Sequence, residues 1–177
     1  MRIVLPQDFH TQPWKNGGGV THEIAREDRD GALLWRLSIA EVASDGPFST
    51  FTGLSRILTV IDGAGLYLHT PKGRLDALPL APVAFSGDLP VQSRMIDGPI
   101  RDFNVIWDES RLSASVQLVT GHLPACPAAP GQTYALLALE ALEILGLPAG
   151  VLAQSEHFLA QSSPEFCGLL VTFKQNP

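Results

Sequence analysis

The chain has 177 residues, of which 45% are hydrophobic and 17% are charged, and its formal net charge is −6. An average domain carries about 25% charged residues, so this composition excludes a disordered protein and indicates one folded domain with a sizeable core. The acidic balance also argues against nucleic-acid binding, because that function requires Lys and Arg side chains gathered on one face.

Hydrophobic segments and cysteine spacing indicate the cellular compartment of the protein. The apolar stretch at the N-terminus is too short for a signal peptide, and no segment approaches the ~18 uninterrupted apolar residues of a membrane span. Cys126 and Cys167 are the only cysteines and lie far apart, so neither a disulfide framework nor a zinc knuckle is expected. We therefore expect a cytoplasmic protein that contacts no membrane.

Short apolar runs separated by turn residues predict an all-β fold. The 16 glycines and 14 prolines are scattered between these runs instead of forming one linker. Asp62 and Gly63 separate two of the runs, which predicts a hairpin between them. The predicted strands cover residues 20–25, 34–42, 56–61, 65–69, 83–85, 91–95, 103–107, 113–119 and 168–173.

Residues 133–145 depart from this pattern. They are rich in Ala, Leu and Glu, which is the composition of a helix. Composition alone therefore predicts a helix in this part of the chain.

The strand predicted at 34–42 points to a cavity. Its alternation places Arg36 on one face with Ser38 and Ala40, opposite Trp35. A charge among small residues suggests a cavity in which the guanidinium binds a carboxylate, and the alternative is an outward-facing arginine on a half-exposed strand. Arg56, at the start of the next predicted strand, has the same two interpretations and is expected to add little to the core.

A run of three glycines near the N-terminus is the most unusual local segment. In Trp14-Lys15-Asn16-Gly17-Gly18-Gly19 the glycines allow positive φ and bring backbone N–H groups close to a ligand, beside the positive charge of Lys15. This pattern predicts an anion site, and the alternative is a glycine-rich turn with a solvated lysine. Asp102 and Asn104 share a strand face, where they contact either a polar ligand or only a neighbouring protein group.

The histidines supply no recognisable metal site or catalytic motif. They lie at 10, 22, 69, 122 and 157, with neither a His-x-His nor a His-Glu-x-x-His unit, and no Gly-x-Ser-x-Gly elbow supports a nucleophilic serine. We therefore expect no metal and no other cofactor.

Five ordered segments resemble the motifs of the HutD family, which includes Ves. They cover the chain from Trp14 to Trp107, about the first 60%, and the remainder is similar only in spacing and apolar pattern. The segments are Trp14-Lys15-Asn16-Gly17-Gly18-Gly19 with 21, 23 and 24; 35–40; 45–49 with 51, 53 and 56; 85–88 with 90 and 91; and 98–99 with 102–104.

The resemblance implies a cupin-type (RmlC-like) double β-barrel, a bicupin. Residues 1–177 would form a single cupin-like domain of two barrel lobes, approximately 1–112 and 113–177, with strands exchanged between the lobes as an open alternative. Residues 133–145 would then form a strand pair and not a helix. Metal-dependent cupins carry His-x-His in the stretch similar to residues 47–53, where this chain has no histidine, so the implied cavity is metal-free.

The resemblance also implies a function in bacterial histidine utilisation. Family members look like regulatory proteins that bind a small carboxylate intermediate such as formylglutamate. By this hypothesis the protein is non-catalytic, and Phe48 and Trp14 add apolar walls to the pocket. The predicted ligand-binding residues are Lys15, Asn16, Gly18, Arg36, Phe51, Arg56 and Asn104.

Two other functions stay open. The first is a metal-free cupin enzyme, an isomerase or lyase of a small polar metabolite, with Asp102 or a histidine as the general base. The second is a structural dimer module without a ligand, because exposed sheet edges in such folds often pair. A homodimer is compatible with all of these hypotheses.

Overall fold

The computed structural model of the chain describes residues 1–142 and 145–176, and these residues form an all-β protein. Every predicted strand is present, whereas the short or exposed strands at Arg2–Val4, His10–Pro13, Gly46–Pro47, Gly73–Ala77 and Leu152–Ser155 were not predicted. The strands are β1 (Arg2–Val4), β2 (His10–Pro13), β3 (Gly19–Arg29), β4 (Ala32–Val42), β5 (Gly46–Pro47), β6 (Ser55–Asp62), β7 (Leu66–Thr70), β8 (Gly73–Ala77), β9 (Val83–Ser86), β10 (Gln92–Met95), β11 (Ile100–Trp107), β12 (Leu112–Leu123), β13 (Gln132–Ala138), β14 (Leu152–Ser155) and β15 (Gln161–Gln175).

The chain divides into two compact units. The central unit is His10–Glu109, and the terminal unit combines Met1–Phe9 with Ser110–Pro177. The first nine residues join the terminal unit because β1 pairs with β14 in antiparallel register. The predicted assignment of two barrel lobes stays a prediction.

The central unit contains two antiparallel sheets that share one apolar core. The six-stranded sheet has the order β2-β3-β4-β11-β6-β9, and the four-stranded sheet has the order β5-β10-β7-β8. Leu58 and Val60 of the first sheet pack in one cluster with Leu66 and Leu68 of the second, and all four side chains are fully buried. Burying each such side chain contributes roughly 1.5–3 kcal/mol, so this cluster fixes the two sheets together.

The predicted hairpin between residues 56–61 and 65–69 is wrong. β6 pairs with β11 and β9, whereas β7 pairs with β10 and β8, so the chain crosses from one sheet to the other between them. Gly63 and Gly65 take φ values of +92° and +112°, and a Cβ on Gly65 would lie 2.7 Å from the carbonyl oxygen of Ala77. These glycines therefore serve the crossing and its tight contacts, not a two-residue turn.

The terminal unit holds a five-stranded sheet in the order β1-β14-β13-β15-β12. Its core contains Leu136 of β13 and Leu170 of β15, which are neighbouring strands. Leu142, Leu147 and Val151, from the segment between β13 and β14, also belong to this core.

The helix that composition predicts over residues 133–145 is wrong. Gln132–Ala138 forms β13, which pairs with β14 on one side and β15 on the other. The five residues from Tyr134 to Ala138 are all buried, and burial on both faces of a central strand overrides the helix propensity of Ala and Leu. The strand pair implied by the resemblance holds for this first half, whereas Leu142 and Leu147 form only an isolated bridge. Residues 143 and 144 of the predicted segment lie outside the described residues.

The three sheets are open at their edges. Among residues 1–142 and 145–176 we find no closed barrel, so the predicted double barrel is not observed although the all-β class is confirmed. Within the same described residues, no helix is long and apolar enough to cross a membrane.

Candidate functional site

A cavity of about 570 Å³ lies within the central unit. Alternate residues of two neighbouring strands form much of its wall, because every second side chain of a strand faces the same side. These residues are Arg36, Ser38 and Ala40 of β4 and Asp102, Asn104 and Ile106 of β11.

The strand register brings the predicted cationic residues to one face. β11 pairs with β4 and β6 on its two sides, and Ile106 lies opposite both Arg36 and Arg56. Asn104 lies opposite Ser38, one step along the same face. Residues separated by tens of positions in the sequence thus converge on one cavity wall.

Arg56 is held in the wall by Asn104. Its Nε and Nη2 both donate to Asn104 Oδ1, at 2.8 and 2.5 Å, and the residue is only 7% exposed. The guanidinium Nη1 forms no hydrogen bond with a described residue, and Arg56 lines the cavity. A hydrogen bond from a charged donor contributes roughly 1.5–3 kcal/mol.

Three phenylalanine rings surround the Arg56 guanidinium. Its central carbon lies 4.8 Å from the ring centroid of Phe48, 5.4 Å from that of Phe85 and 5.9 Å from that of Phe51. A cation within about 6 Å of a ring centroid is attracted by the ring face. The rings therefore hold the charge in place while excluding water, and burial lowers the pKa of Arg56 to about 10 against the opposing attraction of Asp102.

Asp102 is the buried anion of the cavity wall. Its Oδ1 accepts a short hydrogen bond from Asn104 Nδ2, whereas its Oδ2 is fully buried and has no partner among the described residues. Burial raises the pKa of Asp102 to about 6, although the positive charge of Arg56 and the hydrogen bond from Asn104 favour the ionised form. Asn104 thus links a buried cation to a buried carboxylate.

Arg36 contributes a second guanidinium to the cavity wall, and this guanidinium is paired with Glu23. Its Nε donates to Glu23 Oε2 at 2.7 Å, and the two side chains are 16% and 20% exposed. Arg36, Gln12 and Phe51 also line a neighbouring cavity of about 520 Å³ that includes His10 and Glu23. Arg36 therefore lies between two cavities of the same unit.

The glycine-rich segment contributes side chains to the cavity lining, but its three glycines are not part of that lining. Lys15 and Asn16 line the cavity and are exposed, and Lys15 makes no ion pair with a described residue. Gly18 is buried and is not part of the lining; its N–H donates to Asn16 Oδ1 at 3.0 Å. The N–H of Gly17 is also taken, by the carbonyl oxygen of Trp14 at 3.0 Å. These two amides cannot form the predicted anion site because their hydrogen bonds are already made.

The conformation of the three glycines has separate causes. Gly17 takes a φ of +72°, which favours glycine, whereas Gly18 has no positive φ. A Cβ on Gly19 would overlap the carbonyl oxygen of Glu41 and lie 3.2 Å from the Trp14 ring. That ring donates from Nε1 to Thr21 Oγ1 at 2.7 Å and meets Phe48 edge to face, with centroids 6.3 Å apart. Gly19 thus lets the chain approach the aromatic wall.

Six of the seven ligand-binding residues predicted from the sequence line the cavity, whereas two residues that contact them were not predicted. Lys15, Asn16, Arg36, Phe51, Arg56 and Asn104 line it. The missed partners are Glu23, which pairs with Arg36, and Phe85, which packs on Arg56. Alternation along β3 offers a signal for Glu23, whereas the position of Phe85 depends on the pairing of β9 with β6.

The described residues contain no group of three or more His, Cys, Asp or Glu side chains arranged to hold a metal ion. The segment where cupins carry His-x-His here contributes Phe48 and Phe51, whose rings face the Arg56 cation. The donor set of this wall therefore favours an anion over a metal ion.

Comparison with known proteins decides the family. The HutD family model matches residues 6–165, which is most of the chain. The chain belongs to the HutD family. This confirms the resemblance carried by the five motifs.

Relatives of this chain include proteins from several bacteria. An uncharacterized 21.2 kDa protein in the hutC 3' region of Pseudomonas putida is 41% identical over 124 residues, which are 68% of this chain and 65% of that protein. Protein Ves of Cronobacter sakazakii is 31% identical over 131 residues, 70% of this chain and 69% of that protein. The match thus spans slightly less than two thirds of the length of the P. putida relative.

Three solved structures share the fold over nearly all of this chain. HutD from Pseudomonas fluorescens SBW25, determined in a formate condition, is 34% identical with a TM-score of 0.82, and each chain is covered to 99%. A conserved protein of unknown function from Pseudomonas aeruginosa PAO1 is 30% identical with a TM-score of 0.79, covering 99% of this chain and 98% of that one. AerE from Microcystis aeruginosa is 15% identical with a TM-score of 0.60 over 95% of this chain and 99% of that one, and it shares the fold.

Proposed function

We propose that this HutD-family protein binds a small carboxylate in the cavity of its central unit. The observation that carries the proposal is the Arg56 guanidinium, which is buried, held at two atoms by Asn104 and surrounded by phenylalanine rings, with Nη1 left for a ligand. A planar guanidinium matches the geometry of a carboxylate, and a water-excluding site strengthens their attraction.

The remaining charges of the wall support an anionic ligand. Lys15 and Arg36 line the same cavity as Arg56, and the acids that accompany them are Asp102 in the wall and Glu23 beside Arg36. Three cations against two carboxylates leave an excess of positive charge for a ligand anion. Arg56 would bind one carboxylate, and Lys15 or the free nitrogens of Arg36 would bind a second.

We further propose a regulatory role in histidine utilisation. The support is family membership, together with a P. putida relative that is described as lying in the hutC 3' region. A dicarboxylate of that pathway such as formylglutamate suits two cationic positions. Deleting the gene in its host is expected to change the level of histidine-degrading enzymes during growth on histidine.

Calorimetry with matched probes tests ligand binding. Glutarate and N-formylglutamate are expected to bind to the wild-type protein, whereas glutaramide, which has the same size without charge, is expected to bind at least tenfold more weakly. Equal binding of glutarate and glutaramide would contradict a site built on charge recognition. A protein that binds neither carboxylate would overturn the proposed function.

One observation favours the enzyme as a second candidate. Asp102 has its pKa raised to about 6, within the range of a general base at neutral pH. Its Oδ1 is engaged by Asn104 and its Oδ2 is fully buried, which disfavours contact with a substrate. Incubation of the protein with N-formylglutamate, followed by product analysis, distinguishes the two functions, because a binding protein returns the ligand unchanged.

A further inference from the structure

We propose that the cavity takes up a proton together with its carboxylate ligand, and that Asp102 is the group that accepts this proton. The inference rests on the proposed function, because it concerns how the same cavity admits an anion. The observation behind it is that the Asp102 carboxylate is buried with few hydrogen-bond partners and lies near Arg56, the cation that the ligand would contact.

Asp102 depends on a single neighbour for the support of its charge. Oδ2 is fully buried and receives no hydrogen bond from a described residue, and Oδ1 receives one from Asn104. Asn104 in turn uses its own Oδ1 to hold Nε and Nη2 of Arg56. The negative charge of Asp102 is therefore balanced by Arg56 through an amide, without a direct ion pair between the two.

The other charged groups around Asp102 are more distant or already paired. From β4, Arg36 faces the same cavity and is bonded to Glu23, and Lys15 lines the cavity from an exposed loop. Asp62 at the end of β6 is exposed and lies in register with Arg101, which neighbours Asp102 in sequence. The four-stranded sheet contributes apolar side chains, among them Leu66 and Leu68, to the core of the central unit.

Binding of an anion changes this balance. In the free protein the pKa of Asp102 is about 6, so the group is mostly ionised at pH 7. A ligand carboxylate on Arg56 brings a second negative charge into the same poorly solvated wall and engages the cation that supported Asp102. Two carboxylates that share one cation raise each other's pKa, and the buried one protonates because water cannot reach Oδ2.

The sign of the pH dependence follows from linkage. Because the complex holds one proton more than the free protein, affinity rises as the pH falls from 8 toward 6, by up to about tenfold for each pH unit. Below pH 6 the free protein already carries the proton, so the affinity levels off. Glutarate is mostly ionised through this range, and the little protonation of its second carboxyl near pH 6 would weaken binding, so it cannot account for a rise in affinity.

The experiment measures proton uptake directly. Glutarate is titrated into the wild-type protein at pH 7 in bis-Tris and in Tris, two cationic buffers that do not compete for Arg56. A difference in binding heat that scales with the ionisation heat of the buffer is expected, corresponding to roughly one proton taken up per ligand. Binding without proton uptake, and with equal affinity at pH 6 and pH 8, would overturn the inference while leaving the proposed function intact.

Variants assign the proton to a residue. Asp102→Asn is expected to abolish the uptake and to bind glutarate at pH 8 more tightly than the wild type, because it removes the competing charge. A residue that contacted the ligand or only maintained the fold would show weaker binding after this change, which would contradict the proposal. Asp97→Asn, at an exposed turn, is the matched control and is expected to retain the wild-type pH dependence.

His10 is the second control, because it is an ionisable side chain that lines the neighbouring cavity. His10→Asn is expected to keep the proton uptake. Loss of uptake in this variant and its persistence in Asp102→Asn would assign the proton to His10 and overturn the inference. If Asp102→Asn does not fold, the carbon-13 NMR signal of the wild-type Asp102 carboxyl is followed instead, and its midpoint near pH 6 is expected to rise when glutarate is added; an unchanged midpoint would overturn the inference.

Discussion

Arg56 contacts Asn104 diagonally across two paired strands. Arg56 lies opposite Ile106 in the register of β6 and β11, whereas Asn104 lies opposite Leu58, so the guanidinium reaches one step along the sheet to Asn104 Oδ1. Nε and Nη2 of Arg56 both use Asn104 Oδ1, and the Asn104 Nδ2 donates to Asp102 Oδ1. The pair thus sets both the orientation of the cation and its coupling to the buried carboxylate.

Replacing Arg56 by methionine is expected to impair both binding and folding. Arg56→Met keeps much of the side-chain volume but removes the charged donor, so affinity for glutarate should fall about 10- to 150-fold, as expected for roughly 1.5–3 kcal/mol. It also leaves Asp102 without its cation, which should lower the free energy of unfolding by about 3–5 kcal/mol at pH 8 and by less at pH 5. Calorimetry and urea unfolding at both pH values provide the measurements.

Arg74→Met is the matched control for Arg56→Met. The Arg74 guanidinium also lies over an aromatic ring, 4.4 Å from the centroid of Tyr67, and pairs with Asp76 at 2.8 Å, but its side chain is 52% exposed. An exposed pair contributes little, so stability should change by less than about 1 kcal/mol and binding should not change. Equal effects of the two substitutions would show that burial of Arg56 is not what makes it important.

The sequence predicted the composition of the cavity wall better than the burial of its residues. Alternation alone placed Arg36 on the face of Ser38 and Ala40, because a strand repeats every two residues. It did not predict that Arg56 is buried, since that depends on Phe48 and Phe51 of one loop together with Phe85 of β9. A local pattern gives the face of a strand, whereas the depth of a side chain depends on what packs above it.

Turns and the Ala-rich strand were harder to predict for the same reason. Asp62-Gly63 has the sequence of a hairpin turn, yet the chain changes sheets there, because β7 finds its partners in β8 and β10. Residues of β13 have helical composition but are buried between β14 and β15. In both cases long-range strand pairing outweighed local preference, and the family resemblance was the better guide for β13.

Gly19, and not Gly18, is expected to be the sensitive glycine of the N-terminal loop. A Cβ on Gly19 would overlap the Glu41 carbonyl and press on the Trp14 ring, so Gly19→Ala should destabilise the fold by about 1–3 kcal/mol. In Gly18→Ala the new Cβ would lie 3.1 Å from Ser44 Oγ, which can rotate away, so that variant should stay within about 0.5 kcal/mol of the wild type. Urea unfolding compares the two, and the reverse order would contradict this account of the loop.

Carboxylate binding is expected to survive removal of metal ions. The wall that would supply imidazole ligands in a metal-dependent cupin holds Phe48 and Phe51 against the Arg56 guanidinium, and a metal cation entering there would meet a like charge without gaining ligands. The measurement is metal analysis of protein purified without a His tag, followed by glutarate calorimetry before and after EDTA. Near-stoichiometric zinc, iron or manganese, with binding lost on its removal, would contradict a metal-free site.

Asp102 is also expected to make the stability of the fold depend on pH. Its pKa is raised from the ordinary value of 3.8 to about 6, so between these values the folded protein binds more protons than the unfolded chain. Stability therefore falls as the pH rises from about 4 through 6, by a total on the order of 3 kcal/mol, and does not recover at higher pH.

In Asp102→Asn this contribution is absent. The free energy of unfolding, measured with urea at pH 4, 6 and 8, should thus increase in the variant relative to the wild type as the pH rises. Other titrating groups cancel in this difference because both proteins contain them. A difference that stays constant from pH 4 to pH 8 would mean that Asp102 is charged as easily in the folded protein as in the unfolded chain.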